Sequence, residues 1–119
     1  MKKVMLVDDN LINNFVMKKV ISNVDEHLPV LDYTDAHQAL LTLEEVNPTV
    51  IFLDLNMPVL DGWQFLECMV AKNMNYKVYI LTSSTSELDR QRSANYPNVV
   101  RFLNKPLAEA EVAAILHVA

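Results

Sequence analysis

Apolar positions along this chain fall into two rhythms. Val4-Met5-Leu6-Val7, Val50-Ile51-Phe52-Leu53 and Val78-Tyr79-Ile80-Leu81 are short unbroken runs, the pattern of strands buried on both faces. Each gives way at once to polar residues: Asp8-Asp9, Asp54 and Thr82-Ser83-Ser84. Val30-Leu31 with Tyr33 opens on Pro29 and is interrupted by Asp32, which fits a short edge strand. Val99-Val100-Arg101-Phe102-Leu103 follows the turn Tyr96-Pro97-Asn98, supplies a fifth strand and ends at Asn104-Lys105-Pro106.

Between these runs the spacing changes to threes and fours. Ile12, Phe15, Val16, Lys19, Val20 and Val24 predict a helix over about residues 12–23 with that stripe turned to the core. Thr34 or Asp35 can cap a second helix whose stripe is Ala36, Ala39, Leu40 and Leu43. Asp61 caps a third, carrying Trp63, Leu66, Met69 and Val70. A weak fourth helix over about residues 86–95 has Leu88 and Ala94 as its anchors. The last covers about residues 107–117 and offers Leu107, Val112, Ile115 and Leu116. Strands alternate with helices, and each connection is long enough for a crossover. That predicts an α/β fold, a parallel sheet covered on both faces, in one domain over residues 1–119.

Composition narrows the function classes. A formal charge of -5 argues against nucleic acid as a direct partner, because phosphate binding needs a basic face. The single cysteine, Cys68, excludes an internal disulfide and lies between apolar residues, as a packed thiol would. No apolar run approaches the roughly 18 residues of a membrane span, so the expectation is a cytoplasmic protein with no membrane partner. His27, His37 and His117 are too scattered to suggest a shared ligand. With one glycine, Gly62, the other tight turns must be made by Asn, Asp, Pro or Ser.

In open α/β sheets the crevice beyond the C-terminal strand ends is where chemistry is placed. Asp8, Asp9, Asp54, Thr82 and Lys105 all lie at such ends. Acidic residues there are also common turn formers, a lone threonine is often a turn hydroxyl, and a lone lysine is usually solvated. Their joint placement favours chemistry. Neighbouring carboxylates repel unless something positive intervenes, and a cluster of hard oxygens suits Mg²⁺. Carboxylates, a hydroxyl and an ammonium around one cleft fit phosphoryl transfer, with a carboxylate as nucleophile.

These residues resemble a known family. Leu6-Val7-Asp8-Asp9-Asn10, Leu53-Asp54-Leu55-Asn56-Met57-Pro58 with Asp61-Gly62, Leu81-Thr82-Ser83 and Lys105-Pro106 are similar in order and spacing to the motifs of response-regulator receiver domains, the phosphoacceptor modules of two-component signalling. The resemblance covers the whole chain and implies a five-stranded parallel sheet in 2-1-3-4-5 order, the doubly wound (βα)5 flavodoxin-like sandwich. It implies phosphorylation of Asp54, with Asp9 as a direct Mg²⁺ ligand, Asp8 acting through water and Asn56 offering its backbone carbonyl. Thr82 would bond to the phosphoryl group, Lys105 would pair with it, and Phe102 matches the switch aromatic. The implied partners are a histidine kinase or histidine phosphotransfer protein upstream and a protein target downstream, with an output face made by the fourth helix and fifth strand. Self-phosphorylation from a phosphodonor and slow autodephosphorylation would be its only enzymatic steps. The chain departs from the family before its fifth strand, where Ser93-Ala94-Asn95-Tyr96-Pro97-Asn98 replaces the usual Gly-Ala.

The competing readings are a receiver-like binding module that works independently of phosphorylation, a phosphatase of the haloacid dehalogenase type, and a flavodoxin-like redox protein. The phosphatase needs Asp-x-Asp after the first strand, whereas Asp54 follows the third and precedes Leu55-Asn56. The redox protein needs a Ser/Thr/Gly-rich loop after the first strand, where this chain has Asp8-Asp9-Asn10.

Overall fold

The structure, a computed structural model, describes residues 2–119. Five strands and five helices alternate: β1 (Val4–Val7), α1 (Leu11–Val24), β2 (Val30–Tyr33), α2 (Ala36–Val46), β3 (Val50–Leu53), α3 (Gly62–Ala71), β4 (Lys77–Thr82), α4 (Glu87–Ser93), β5 (Val99–Asn104) and α5 (Glu109–Val118). All strand pairs are parallel and the order is β2-β1-β3-β4-β5. Both match the expected fold. The order reverses between β1 and β3, which opens a crevice beyond their ends.

Alternation along the buried strands divides the core in two. Met5, Val7, Ile51, Leu53, Val78 and Ile80 pack with the inner residues of α2 and α3 on one face. Val4, Leu6, Val50, Phe52, Tyr79 and Leu81 pack with α1 and α5 on the other. Side chains of successive strand residues point to opposite faces, so one run of four apolar residues serves both layers.

The predicted stripe of α2 is its buried face, with Val46 added, and Asp35 is the cap, its side chain accepting from the amides of His37 and Gln38. Asp61 caps α3 in a reciprocal capping box with Gln64. The buried face of α3 is Phe65, Leu66 and Met69, while Val70 is exposed and Trp63 half-buried.

Two helices differ from expectation. On α1 the first half of the predicted stripe faces outward: Ile12 is 70% exposed and Phe15 71%, while Val20 and Val24 pack half-buried against the core as expected, beside the buried Asn14, Met17 and Ile21. Asn14 supplies the reason. Its side-chain amide donates to the carbonyls of Asp8 (3.0 Å) and Tyr33 (3.3 Å) at the ends of β1 and β2. Buried carbonyls need a donor, and meeting that need leaves the apolar residues of the first turns of α1, Leu11, Ile12, Phe15 and Val16, in solvent.

The fourth helix is short, and both of its expected anchors, Leu88 and Ala94, are exposed; only Ser93 is buried. In their place the Arg90 guanidinium lies 4.8 Å from the Phe102 ring centroid and that of Arg92 lies 4.3 Å from Trp63, contacts that attract by charge and ring quadrupole. Trp63 in turn stacks on Tyr96, whose hydroxyl donates to Glu67 at 2.6 Å.

Asn47 and Asn73 take the left-handed backbone conformation, as the shortage of glycine requires, and so does the β-branched Val59 (φ 66°) in the loop before α3. The one glycine does a different job. A Cβ on Gly62 would sit 2.6 Å from the Asp54 carbonyl oxygen and 2.7 Å from the Leu55 Cα, and the Gly62 amide donates to the Leu55 carbonyl. The first turn of α3 can approach the end of β3 only without a side chain. In an ordinary helix position Gly→Ala stabilises. Here Gly62→Ala is expected to destabilise by about 3 kcal/mol, the scale of severe overpacking against backbone that cannot move away. A urea unfolding curve with an unchanged or raised midpoint would contradict this account of Gly62.

Candidate functional site

The register of the sheet carries the acidic residues to one place. Val7 pairs with Leu53 across β1 and β3, and the Asp54 amide donates to the Val7 carbonyl, so Asp8 and Asp54 leave adjacent strands side by side. Asp8 and Asp54 are each 7% exposed, whereas Asp9 is exposed. One carboxylate oxygen from each of Asp8, Asp9 and Asp54 falls within 4.8 Å of the others. On the far side, Thr82 pairs with Asn104 across β4 and β5, and the Lys105 amide donates to the Thr82 carbonyl. This swings the Lys105 ammonium back over the cluster.

Lys105 Nζ donates to Asp8 Oδ2 at 2.5 Å and to Asp54 Oδ2 at 3.1 Å. The second Asp54 oxygen accepts the Asn56 amide at 3.2 Å. Burial pushes the Asp54 carboxyl above its ordinary range, with the charge of Asp8 adding to it, and Lys105 and the Asn56 amide only partly counter the rise. Burial alone would lower Lys105, but the hydrogen bond to Asp8 and the charges of Asp54 and Asp8 outweigh it and raise its pKa. Beside the lysine a cavity of about 120 Å³ runs from Asp8 and Asp54 to an apolar wall that includes Phe52, Leu81 and Leu107, and such a wall strengthens nearby charge interactions by keeping water out.

Thr82 is fully buried, and its hydroxyl accepts the Ser84 amide at 3.2 Å. Ser84 is itself tied down, donating its hydroxyl to Asp89 of α4 at 2.7 Å and accepting the Asn104 side-chain amide through its carbonyl. Phe102 is 9% exposed beneath Arg90, whose guanidinium also donates to the Phe102 carbonyl at 3.4 Å. The structure thus gathers Asp8, Asp9, Asp54 and Lys105 in one cluster, sets Asn56 at its edge, and places Thr82 and Phe102 on the neighbouring strands. The three histidines are exposed and apart, and Cys68 packs against the core.

Sequence reasoning placed Asn10 only in the loop motif after the first strand and missed Asn13 and Asn14. Asn10 caps α1 with its side chain and donates its amide to Asp8 Oδ1 at 2.9 Å, while Asn13 Nδ2 reaches Asp8 Oδ2 at 3.3 Å. A signal was present: asparagine is a poor helix former, and two in succession within a helical pattern call for partners.

The response regulator receiver domain family matches over residues 4–117. A protein-glutamate methylesterase/protein-glutamine glutaminase of Myxococcus xanthus is 31% identical over 108 residues, 91% of this chain but 31% of that protein. The chain thus spans about a third of that relative. Chemotaxis protein CheY of Listeria monocytogenes is 27% identical over 116 residues, covering 98% of this chain and 96% of that one. In fold the chain is similar to a two-component response regulator of Cytophaga hutchinsonii, at a TM-score of 0.87 and 23% identity over 99% of this chain and 96% of that one. The 2-1-3-4-5 sheet, the acidic cluster at its switch point and the match over residues 4–117 lead to one conclusion: the chain belongs to the response-regulator receiver domain family.

Proposed function

We propose that residues 1–119 form one receiver domain that accepts a phosphoryl group on Asp54 from a phosphohistidine of a histidine kinase or histidine phosphotransfer protein. The observation that carries this reading is the Asp54 carboxylate, buried between two further carboxylates and the Lys105 ammonium. In the transfer, an Asp54 oxygen forms a P–O bond as the donor's P–N bond breaks. The electron pair leaves with the imidazole, which takes up a proton. Lys105 neutralises charge on the phosphoryl oxygens and the Thr82 hydroxyl donates to one of them, leaving little covalent work for the protein beyond positioning.

The donor set fits a divalent cation: three hard carboxylate oxygens in close convergence, with two negative charges left after Lys105 is counted against three carboxylates. Asp8, Asp9, Asp54 and the Asn56 carbonyl would hold Mg²⁺. When bound, it supplies the positive charge that lets two anions meet.

The partner reading rests on surface chemistry. Leu11, Ile12, Phe15 and Val16 are all exposed on the first half of α1, directly after the acidic loop, and form a contiguous apolar surface of the kind that marks an interaction site. The phosphodonor protein docks there, which sets its histidine over Asp54. The downstream target reads α4 and β5, where Leu88 and Val100 are exposed. No helix among the described residues is long and apolar enough to cross a membrane, and the proposed setting is the cytoplasm.

Incubation with a small phosphoryl donor and Mg²⁺ is expected to add the mass of one phosphoryl group to the native chain and none to Asp54→Asn. Absence of the adduct, or its persistence in the variant, overturns the assignment. A Phe15→Glu substitution is expected to slow transfer from a histidine phosphotransfer protein by about tenfold, the scale of a lost interface anchor, while phosphorylation by the small donor is unchanged. Equal slowing with both donors would show damage to the site rather than to docking.

Stability should follow the charge on Asp54. Its folded pKa lies above the ordinary value of 3.8, so the folded state holds the proton more tightly, and stability falls as pH rises from 3.8 through the folded pKa. In chelator at neutral pH, Asp54→Asn should therefore melt higher than the native chain. The difference should vanish as pH drops below the ordinary carboxyl range, where Asp54 is protonated in both states. A variant that melts lower at neutral pH would show that the lost bond to Lys105 outweighs the relief.

A further inference from the structure

Asn13 and Asn14 belong to none of the functional groups named above, yet both side-chain amides end on Asp8. Asn14 Nδ2 donates to the Asp8 carbonyl and Asn13 Nδ2 to the Asp8 Oδ2. The Asn10 amide takes Oδ1 and Lys105 takes Oδ2, so every oxygen of Asp8 is held. Three of these four contacts come from residues 10–14, the loop and first turn of α1.

The contacts differ in what they can do. Lys105 divides its ammonium between Asp8 and Asp54, and any further anion in the cleft competes for it. Asn13 is a neutral donor whose only side-chain hydrogen bond is to Asp8 among the described residues. It adds no positive charge that would compete with a cation, and it keeps its hold when the lysine turns elsewhere. Asn14 is 2% exposed and bridges the ends of β1 and β2, so it supports the backbone from which the Asp8 side chain projects. Groups that bond to a metal's ligands set ligand orientation, and losing one typically weakens binding by about 10- to 100-fold.

We propose that Asn13 is a positioning residue for the divalent-cation site: it holds the Asp8 carboxylate in the orientation in which Asp8, Asp9 and Asp54 converge, over a backbone pinned by Asn14. This rests on reading the acidic cluster as a Mg²⁺ site, and the experiment separates the two.

Mg²⁺ is titrated into the metal-stripped, isotope-labelled full chain, and the dissociation constant is read from the backbone amide shifts of Asp9 and Asn56. Melting in chelator is measured in parallel. Asn13→Ala is expected to raise the dissociation constant by about tenfold while the chelator melting temperature moves little, because Asn13 is partly exposed and buries no apolar group. Asn13→Gln, which restores an amide donor, should recover part of the affinity. An Asn13→Ala dissociation constant within about twofold of the native value overturns the inference, as does a loss of affinity matched by a large fall in chelator melting, which would make Asn13 merely structural. A native chain that shows no Mg²⁺-dependent shifts overturns the metal reading itself, whatever the variants do.

Discussion

Two buried carboxylates and one exposed one meet at the end of the sheet, and the Lys105 ammonium, paired with both buried ones, offsets their repulsion. Asp8 and Asp54 sit on adjacent central strands because β1 and β3 pair in register, and pairing that buries both strands on both faces leaves their first polar residues almost no choice of direction. The ammonium that offsets them comes from the end of β5, two strands away from β3. The pair Lys105–Asp8 and Lys105–Asp54 therefore ties the last strand to the first and third. The offset is incomplete, since the Asp54 carboxyl remains above its ordinary range. A site left short of positive charge favours whatever brings more of it, and the close convergence of Asp8, Asp9 and Asp54 is consistent with a divalent-cation site.

The demands of that site reach outward into elements with no chemistry of their own. Gly62 exists so that α3 can press against the carbonyl of Asp54. Asn14 turns α1 so that its amide, and not a methyl group, faces the strand ends. As a result, Leu11, Ile12, Phe15 and Val16 stand in solvent directly after the acidic loop. A surface that looks wasteful for folding is available to the proposed partner, so a single buried hydrogen-bonding requirement links the inner and outer faces of the helix.

On the opposite side the fold is held differently. The α4 helix contributes no buried apolar side chain and rests on β5 and α3 through Arg90 over Phe102 and Arg92 over Trp63. Its first turn is joined to the Thr82 hydroxyl through Ser84, which bonds both Thr82 and Asp89. Segments with few buried apolar contacts open at lower free energy than the core. The α4 helix is thus weakly anchored by apolar contacts, and it is connected by two hydrogen bonds to the threonine at the edge of the site.

The sequence by itself determined the strands, their polar ends and the family, because a fully buried strand admits few polar residues and those that follow it are forced to one edge. It also determined α2 and the cap of α3, where local spacing and capping agree with burial. It could not determine which side of the first turns of α1 faces inward. Periodicity ranks faces by hydrophobicity, whereas the orientation was decided by two carbonyls from β1 and β2 that only the assembled sheet brings within reach of Asn14. The same holds for α4, whose anchors are cations placed over rings from other elements, and for Asn13, whose meaning depends on where Asp8 ends up. Contacts between residues distant in the chain leave no periodic trace, so they became visible only once the tertiary structure set those residues side by side.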